Sequence, residues 1–181
     1  MNVFKTGLAV FFTLSTLNSA IAQDTIHWRP DYKLKWDDFQ GTPDSTSKYQ
    51  AISTPTLSYT LAYDEKGLTC SIYCFFKKKK SWVIKKNSFL LIHEQGHFNI
   101  AEIFAREFRK RITQYRFNYS SVENDVEKIF QQIVQEKRYY DLLYDNETNL
   151  SRNNSAQLDW SKKIEIQLKQ LDAFKAQLTL P

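Results

Sequence analysis

Residues 88–104 read SFLLIHEQGHFNIAEIF, and apolar side chains recur in this stretch with the 3.6-residue period of an amphipathic α-helix. Asn87 or Ser88 can cap the helix at its start, and the pattern continues to about Gln114. The stretch therefore predicts a long helix whose apolar side packs against the rest of the protein.

Two histidines of this stretch, His93 and His97, stand one helical turn apart and about 40° from each other around the axis. They lie on the side that carries Phe89, Ile100 and Phe104, so their imidazoles face the interior, where a polar pair needs a partner. Both rings can reach one tetrahedral ion. We therefore favour a zinc site over the alternative, a pair of hydrogen-bonded core histidines.

Glu94 follows the first histidine and completes the spacing H-E-x-x-H. It points about 100° away from His93, which suits a residue that handles water at the metal and does not bind the metal itself. Zinc lowers the pKa of water toward about 7, and Glu94 can accept a proton and pass it to the leaving amine. The motif predicts a zinc-dependent hydrolase, and we favour a metallopeptidase with a peptide or protein substrate. Tyr140 or Tyr144 could stabilise the oxyanion.

A catalytic zinc takes three protein ligands, so one ligand besides the two histidines is required. Glu102 lies on the same helix but projects to its far side, and we exclude it. The acidic loop predicted after the second helix offers Asp145 or Glu147, which return near the start of the first helix if the two helices pack antiparallel. His27 is the remaining histidine, and we assign it a structural or surface role.

Strands are predicted before the helix and further helices after it. Residues 56–63 and 68–76 alternate between apolar and polar side chains, and 64–67 have turn chemistry, so the two runs form a hairpin. Residues 81–84 are a further strand and a candidate edge for an extended substrate. This order indicates an α+β fold with N-terminal antiparallel strands followed by three helices.

The second and third helices have their own sequence patterns. A capping box at Ser120 and Glu123 opens the second helix, and a polar loop at 145–154 follows it. The third helix begins at about Ser155 and carries an apolar stripe that extends to Leu178.

The first residues have the composition of a signal peptide, which we assign to residues 1–22. A positive charge at Lys5 precedes an apolar core at 7–17, and Ala20-Ile21-Ala22 is a cleavage pattern. No later segment is apolar enough to cross a membrane. We expect residues 23–181 to form one exported domain, secreted or periplasmic.

The charge of the chain and its two cysteines bear on two questions: whether it binds an anionic polymer and whether it contains a disulfide. The net charge of +5 comes partly from the run Lys77–Lys80, which could contact an anionic polymer. We favour a solvated turn between strands and expect no nucleic-acid partner, because no aromatic residues interleave the lysines. Cys70 and Cys74 would stand about 13 Å apart on a strand, too far for a disulfide, so we expect two buried free thiols.

Segments along nearly the whole chain resemble one bacterial domain family of unknown function, whose members are described as secreted zinc-dependent proteases. The resemblance is carried by LIHEQGHFNIAE at 91–102, WDDFQG at 36–41 with Ala51, SWV at 81–83, and YDNET at 144–148 with Gln157 and Trp160.

This resemblance implies a zincin-like fold, with His93 and His97 as zinc ligands and Glu94 as the catalytic residue. The Tyr-Asp pair of the C-terminal motif favours Asp145 as the third ligand, with Glu147 as the alternative. Family members commonly have a histidine where this chain has Leu150. That departure leaves a second hypothesis, an exported non-catalytic binding domain or pseudoenzyme that retains the metalloprotease fold.

Overall fold

The computed structural model describes residues 24–176 and 178–179, in which antiparallel strands precede three helices. The predicted signal peptide lies outside the described residues. Strands and helices share one hydrophobic core, and the mixed α+β class predicted from the sequence is confirmed. None of the described helices combines the length and the apolar character that crossing a membrane requires.

The strands are β1 (Thr25–His27), β2 (Ala51–Ile52), β3 (Pro55–Asp64), β4 (Gly67–Lys77), β5 (Trp82–Val83) and β6 (Leu178–Thr179). The helices are α1 (Ser88–Gln114), α2 (Val122–Glu147) and α3 (Asn154–Gln170). Short 3-10 turns cover Trp36–Asp38, Lys78–Lys80 and Asp172–Phe174.

The predicted hairpin is confirmed as β3 and β4, which pair along their full length from Asp64 opposite Gly67 to Pro55 opposite Phe76. β4 is the central strand, because it also pairs with β1 and β6. Every second side chain of β4 is buried against α1, as the alternation predicts. These side chains are Leu68, Cys70, Ile72, Cys74 and Phe76.

The two cysteines therefore lie on the same face of β4, both buried and both free, as expected. Burial raises the pKa of the Cys70 thiol to about 11 and that of Cys74 well above its usual range. Both side chains act as small apolar core residues. The lysine run ends β4 and forms the short turn that leads to β5.

α1 has the predicted boundaries. The side chain of Asn87 accepts a hydrogen bond from the backbone N–H of Leu90 at 2.9 Å, which satisfies one of the free donors of the first turn. Phe98, Ile100 and Phe108 are fully buried, and each such side chain contributes about 1.5–3 kcal/mol through burial. α1 thus packs against the sheet, α2 and α3.

α2 differs from the prediction at both ends. The expected capping box is absent: the Ser120 hydroxyl donates to Asn118, and α2 begins at Val122, one residue after Ser121. At its other end the helix continues to Glu147, so the expected loop at 145–154 is helical over its first residues. The buried side chain of Tyr144 holds this last turn in the core.

The chain then reverses at three consecutive residues with positive φ, and α3 begins soon afterwards. These residues are Asn149, Leu150 and Ser151. α3 ends at Gln170, so the predicted extension of its stripe to Leu178 is wrong, because Leu178 belongs to β6. The carbonyl oxygen of Leu168 accepts from Arg106, and this contact replaces helical hydrogen bonding near the end of α3.

Candidate metal centre

Three side chains from α1 and α2 converge on one point. The Nε2 atoms of His93 and His97 lie 3.3 Å apart, and Oδ1 of Asp145 lies 3.1 Å from the first and 3.0 Å from the second. Among the described residues, this is the group of His, Cys, Asp and Glu side chains arranged closely enough to hold a metal ion. The antiparallel return of α2 brings Asp145 to α1.

The other ring nitrogens of the two histidines are held by acceptors. Nδ1 of His93 lies 3.0 Å from Oε1 of Gln157, and Nδ1 of His97 lies 2.9 Å from Oδ1 of Asp141. An amide oxygen and a carboxylate can only accept, so each Nδ1 carries the proton. In the neutral rings both Nε2 lone pairs then point toward the carboxylate of Asp145.

This arrangement fits a bound cation. Two nitrogen lone pairs and a carboxylate oxygen repel one another unless a proton or a metal ion lies between them. A tetrahedral zinc ion with ligands at about 2.0–2.1 Å keeps its ligand atoms about 3.3 Å apart. The three separations in the cluster, 3.0, 3.1 and 3.3 Å, are close to that value.

The contacts within the cluster also shift the pKa values of His97 and Asp145. Burial alone would lower the pKa of His97, but its hydrogen bonds to Asp141 and Asp145 raise that pKa to about 10. Burial would raise the pKa of Asp145, yet its contacts with His93 and His97 hold the value well below its usual range. Both shifts favour a positive charge where the three side chains meet.

Glu94 lies beside this cluster without joining it. Its Oε2 accepts a hydrogen bond from the backbone N–H of Ser53 at 3.0 Å, and only 3% of the residue is exposed. Ser53 follows β2, so the strand holds one carboxylate oxygen of Glu94. Glu94 is also among the residues that line the cleft leading to the cluster.

The cleft is an open cavity of about 360 Å³ that joins Glu94, His97 and Asp145 to the surface. One wall is formed by the continuous segment 51–55, and the opposite wall is formed by α2. Lys137 lies in that wall and donates from Nζ to Oδ2 of Asp141 at 2.6 Å. The ammonium group thereby supports the carboxylate that holds His97.

Tyr144 packs against His93 and helps to position it in the cluster. Its ring stacks on His93 with centroids 4.6 Å apart, and its hydroxyl accepts from Nε2 of Gln157 at 2.5 Å and donates to the His93 carbonyl oxygen at 3.2 Å. The ring lies against the backbone of Gly96, where a Cβ would meet Cζ and Cε1 of the tyrosine at 2.7 and 2.9 Å. The glycine of the H-E-x-x-H motif thus makes room for this tyrosine.

Several residues proposed from the sequence lie elsewhere. Glu147 accepts from the indole N–H of Trp160 at 2.7 Å, so the alternative third ligand faces α3 and not the cluster. Glu102 lies on the far side of α1, as expected, and pairs with two arginines. His27 is exposed at the end of β1. Leu150 borders a different cleft, near the start of α1.

The two tyrosines suggested for the oxyanion are not among the residues that line the cleft. Tyr144 is fully buried with its hydroxyl committed, and the hydroxyl of Tyr140 donates to Gln167. Tyr49 does line the cleft. The strand that borders the cleft also differs from the prediction. Residues 81–84 were expected to form the edge for an extended substrate, but β2 lines the cleft and β5 pairs with β2.

The sequence did not predict that Gln157 and Asp141 hold His93 and His97. It also did not predict the contact of Lys137 with Asp141 or that of Ser53 with Glu94. One pattern could have revealed Asp141, which stands four residues before Asp145 on the same face of α2. The partners of Glu94 and His93 depend on contacts between distant segments. No local spacing encodes them.

The fold and the cluster define an α+β protein whose longest helix carries H-E-x-x-H beside an aspartate from the next helix. Residues 18–153 match a bacterial family described as "Bacterial protein of unknown function (DUF922)", and the chain belongs to this family. No curated protein and no solved structure matches the chain.

Proposed function

We propose that this protein is an exported zinc-dependent hydrolase, and within that class a metallopeptidase of zincin-like architecture. The observation that carries the proposal is the convergence of two histidine Nε2 lone pairs on the carboxylate of Asp145, with Glu94 beside them in an open cleft. His93, His97 and Asp145 would hold the ion, which leaves a coordination position for water or substrate. When bound, zinc would supply Lewis acidity and lower the pKa of a water molecule toward about 7.

The side chains around the ion would transfer the proton, orient the histidines and bind the substrate. Glu94 can accept a proton from the attacking water and return it to the leaving amine, because it lines the cleft and Ser53 fixes one of its oxygens. Asp141 and Gln157 hold the Nδ1–H tautomers of the histidines, so that both Nε2 atoms stay available. Five consecutive residues, 51–55, line the cleft, and an extended peptide could bind alongside them.

The test of metal binding compares two acidic residues of the same helical turn. We expect Asp145→Ala to weaken zinc affinity by at least about 10–100-fold, since even the loss of a group behind a ligand has that effect. Glu147→Ala is the matched control and should leave zinc affinity unchanged, because Glu147 bonds to Trp160. Zinc affinity is measured by competition with a chromogenic chelator. Equal loss in both variants would remove Asp145 from the ligand set.

The test of hydrolysis uses Glu94→Gln and His97→Ala. We expect Glu94→Gln to retain stoichiometric zinc in metal analysis and to lose cleavage of a peptide library, whereas His97→Ala should lose both. Zinc loss in Glu94→Gln equal to that in His97→Ala would make Glu94 a ligand. Stoichiometric zinc in the parent protein without any cleavage would favour the second hypothesis, a metal-binding domain without catalytic activity. Recovery of the mature chain from the culture medium or the periplasm tests export.

A further inference from the structure

A second cavity lies on the far side of α1 from the metal centre and is rich in positive charge. It has a volume of about 400 Å³, and its charged lining comprises four permanently basic side chains and two carboxylates. The basic residues are Arg29, Arg106, Arg109 and Lys175, and the carboxylates are Glu102 and Asp172. His27 and Trp28 form part of the remaining wall.

The two inner arginines are buried and share a single inner carboxylate. Arg106 and Arg109 are each 4% exposed, and both donate to Oε1 of Glu102, at 3.0 and 3.2 Å. The second carboxylate, Asp172, is more than half exposed and lies 3.8 Å from Arg106 while also binding Lys175. Two guanidinium groups thus face one buried carboxylate, which leaves an excess positive charge inside the protein. Buried charges are normally paired.

The arginines also have more donors than the surrounding residues accept. A guanidinium has five N–H groups. Arg106 donates to Glu102 and Leu168, and Arg109 donates to Glu102 and to the carbonyl oxygens of Ile72 and Phe174. Within the described part of the chain, the buried Nε of Arg109 has no acceptor. The surplus of guanidinium donors over acceptors, in a cavity whose lining has more basic than acidic side chains, points to an anionic ligand.

The chemistry of the donors defines the ligand class. Arginine N–H groups form a planar fork that matches the oxygens of a carboxylate or a phosphate. We propose that this cavity is a second binding site that takes the carboxylate or phosphate group of a small anionic ligand. The centroid of the Trp28 ring lies 5.2 Å from Cζ of Arg106, so this ring would hold the Arg106 guanidinium in place. The rest of the ligand would extend toward Arg29 and Lys175.

The site is independent of the metal centre. Arg106 and Arg109 stand nine and twelve residues beyond His97 on α1, about 14–18 Å along the helix axis. Its existence therefore does not depend on zinc binding or hydrolysis. A ligand bound there would contact α1 itself, the helix that carries the two histidines.

The test is calorimetric titration of the full mature protein with sodium phosphate and, separately, sodium acetate, against sodium chloride at equal ionic strength. The exposed positions Arg29, Asp172 and Lys162 allow the charge to be changed without disturbing the core. We expect Arg29→Ala to weaken anion binding about two- to fivefold and Asp172→Asn to strengthen it by a similar factor, because the two changes alter the rim charge in opposite directions. Lys162→Ala, an exposed lysine outside the cavity, is the matched control and should leave the affinity unchanged.

A further variant tests the fork itself. Arg109→Lys keeps the charge but removes the planar guanidinium fork, and we expect at least about tenfold weaker binding if the variant folds. Tighter binding of phosphate than of acetate would identify a phosphoryl ligand, and the reverse a carboxylate. The proposal is overturned if neither anion binds saturably, or if Lys162→Ala weakens binding as much as Arg29→Ala.

Discussion

Gly96 has no room for a side chain, because the ring of Tyr144 lies directly against its backbone. A Cβ at this position would lie 2.7 Å from Cζ and 2.9 Å from Cε1 of the tyrosine, and closer still to its hydroxyl oxygen. Tyr144 is fully buried, so the ring cannot turn into solvent. We therefore predict that Gly96→Ala forces the tyrosine away from α1 and disturbs His93, on which the ring stacks.

The size of the effect follows from opposing contributions. Overpacking in a core costs about 1–3 kcal/mol. Displacement of the hydroxyl also disrupts its hydrogen bonds with Gln157 and with the His93 carbonyl, at about 1 kcal/mol each. Helix propensity works in the other direction, since alanine is better than glycine by about 0.8–1 kcal/mol. We expect a net loss of about 2–4 kcal/mol in the free energy of unfolding.

Urea unfolding of metal-free protein measures this loss directly, and the Tm should fall by about 5–15 °C. Tyr144→Phe removes the atom closest to the new Cβ, so the double variant Gly96→Ala with Tyr144→Phe should be more stable than the sum of the two single losses implies. Zinc affinity should fall in Gly96→Ala, because Tyr144 and Gln157 position His93. A Gly96→Ala protein as stable as the parent, or more stable by the helix-propensity difference, would refute this packing argument.

Three further outcomes follow from the same contacts. Asp141→Asn should weaken zinc affinity about 10–100-fold by chelator competition, because a neutral amide holds the Nδ1–H of His97 less strongly, whereas Glu136→Gln, an exposed control on the same helix, should not. Zinc binding should release about one proton near pH 8, since the pKa of His97 without metal is about 10. The zinc affinity should therefore rise with pH between about pH 6 and 9. Calorimetry that gives the same heat of zinc binding in buffers of different ionisation enthalpy would contradict this. Thiol labelling of denatured, non-reduced protein should find both Cys70 and Cys74, and labelling of neither would mean that they are bridged.

The sequence was most informative where one helix or one hairpin contains the whole pattern. The period of residues 88–104 and the cap at Asn87 determine α1 locally, and the alternation of β3 and β4 determines the register of the hairpin. The histidine spacing is likewise a property of one helix. These features need no knowledge of the partner segments.

The predictions failed where tertiary packing overrides local preference. The capping box at Ser120 and Glu123 matched a known pattern, but α2 begins later and without it. The last turn of α2 lacks strong helix signals, yet the burial of Tyr144 extends the helix through Asp145, which places that carboxylate at a fixed position facing α1. Gln157 approaches His93 only because α3 packs on α1, so no spacing along the chain indicates it.

The charges around the cleft give an argument for a divalent ion that does not depend on the spacing of the histidines. Three carboxylates line the cleft, those of Glu94, Asp141 and Asp145, and among the described residues its lining contains one ammonium group, that of Lys137. With neutral histidines the cleft therefore holds two uncompensated negative charges, which are costly in a partly buried site. A protonated His97 cancels one of them, in agreement with the raised pKa of that residue. A dication would cancel both and would also occupy the point on which the Nε2 lone pairs converge, whereas a single proton can satisfy only one of the two rings. Charge and geometry thus support the same proposal, that the junction of α1 and α2 binds a divalent metal ion.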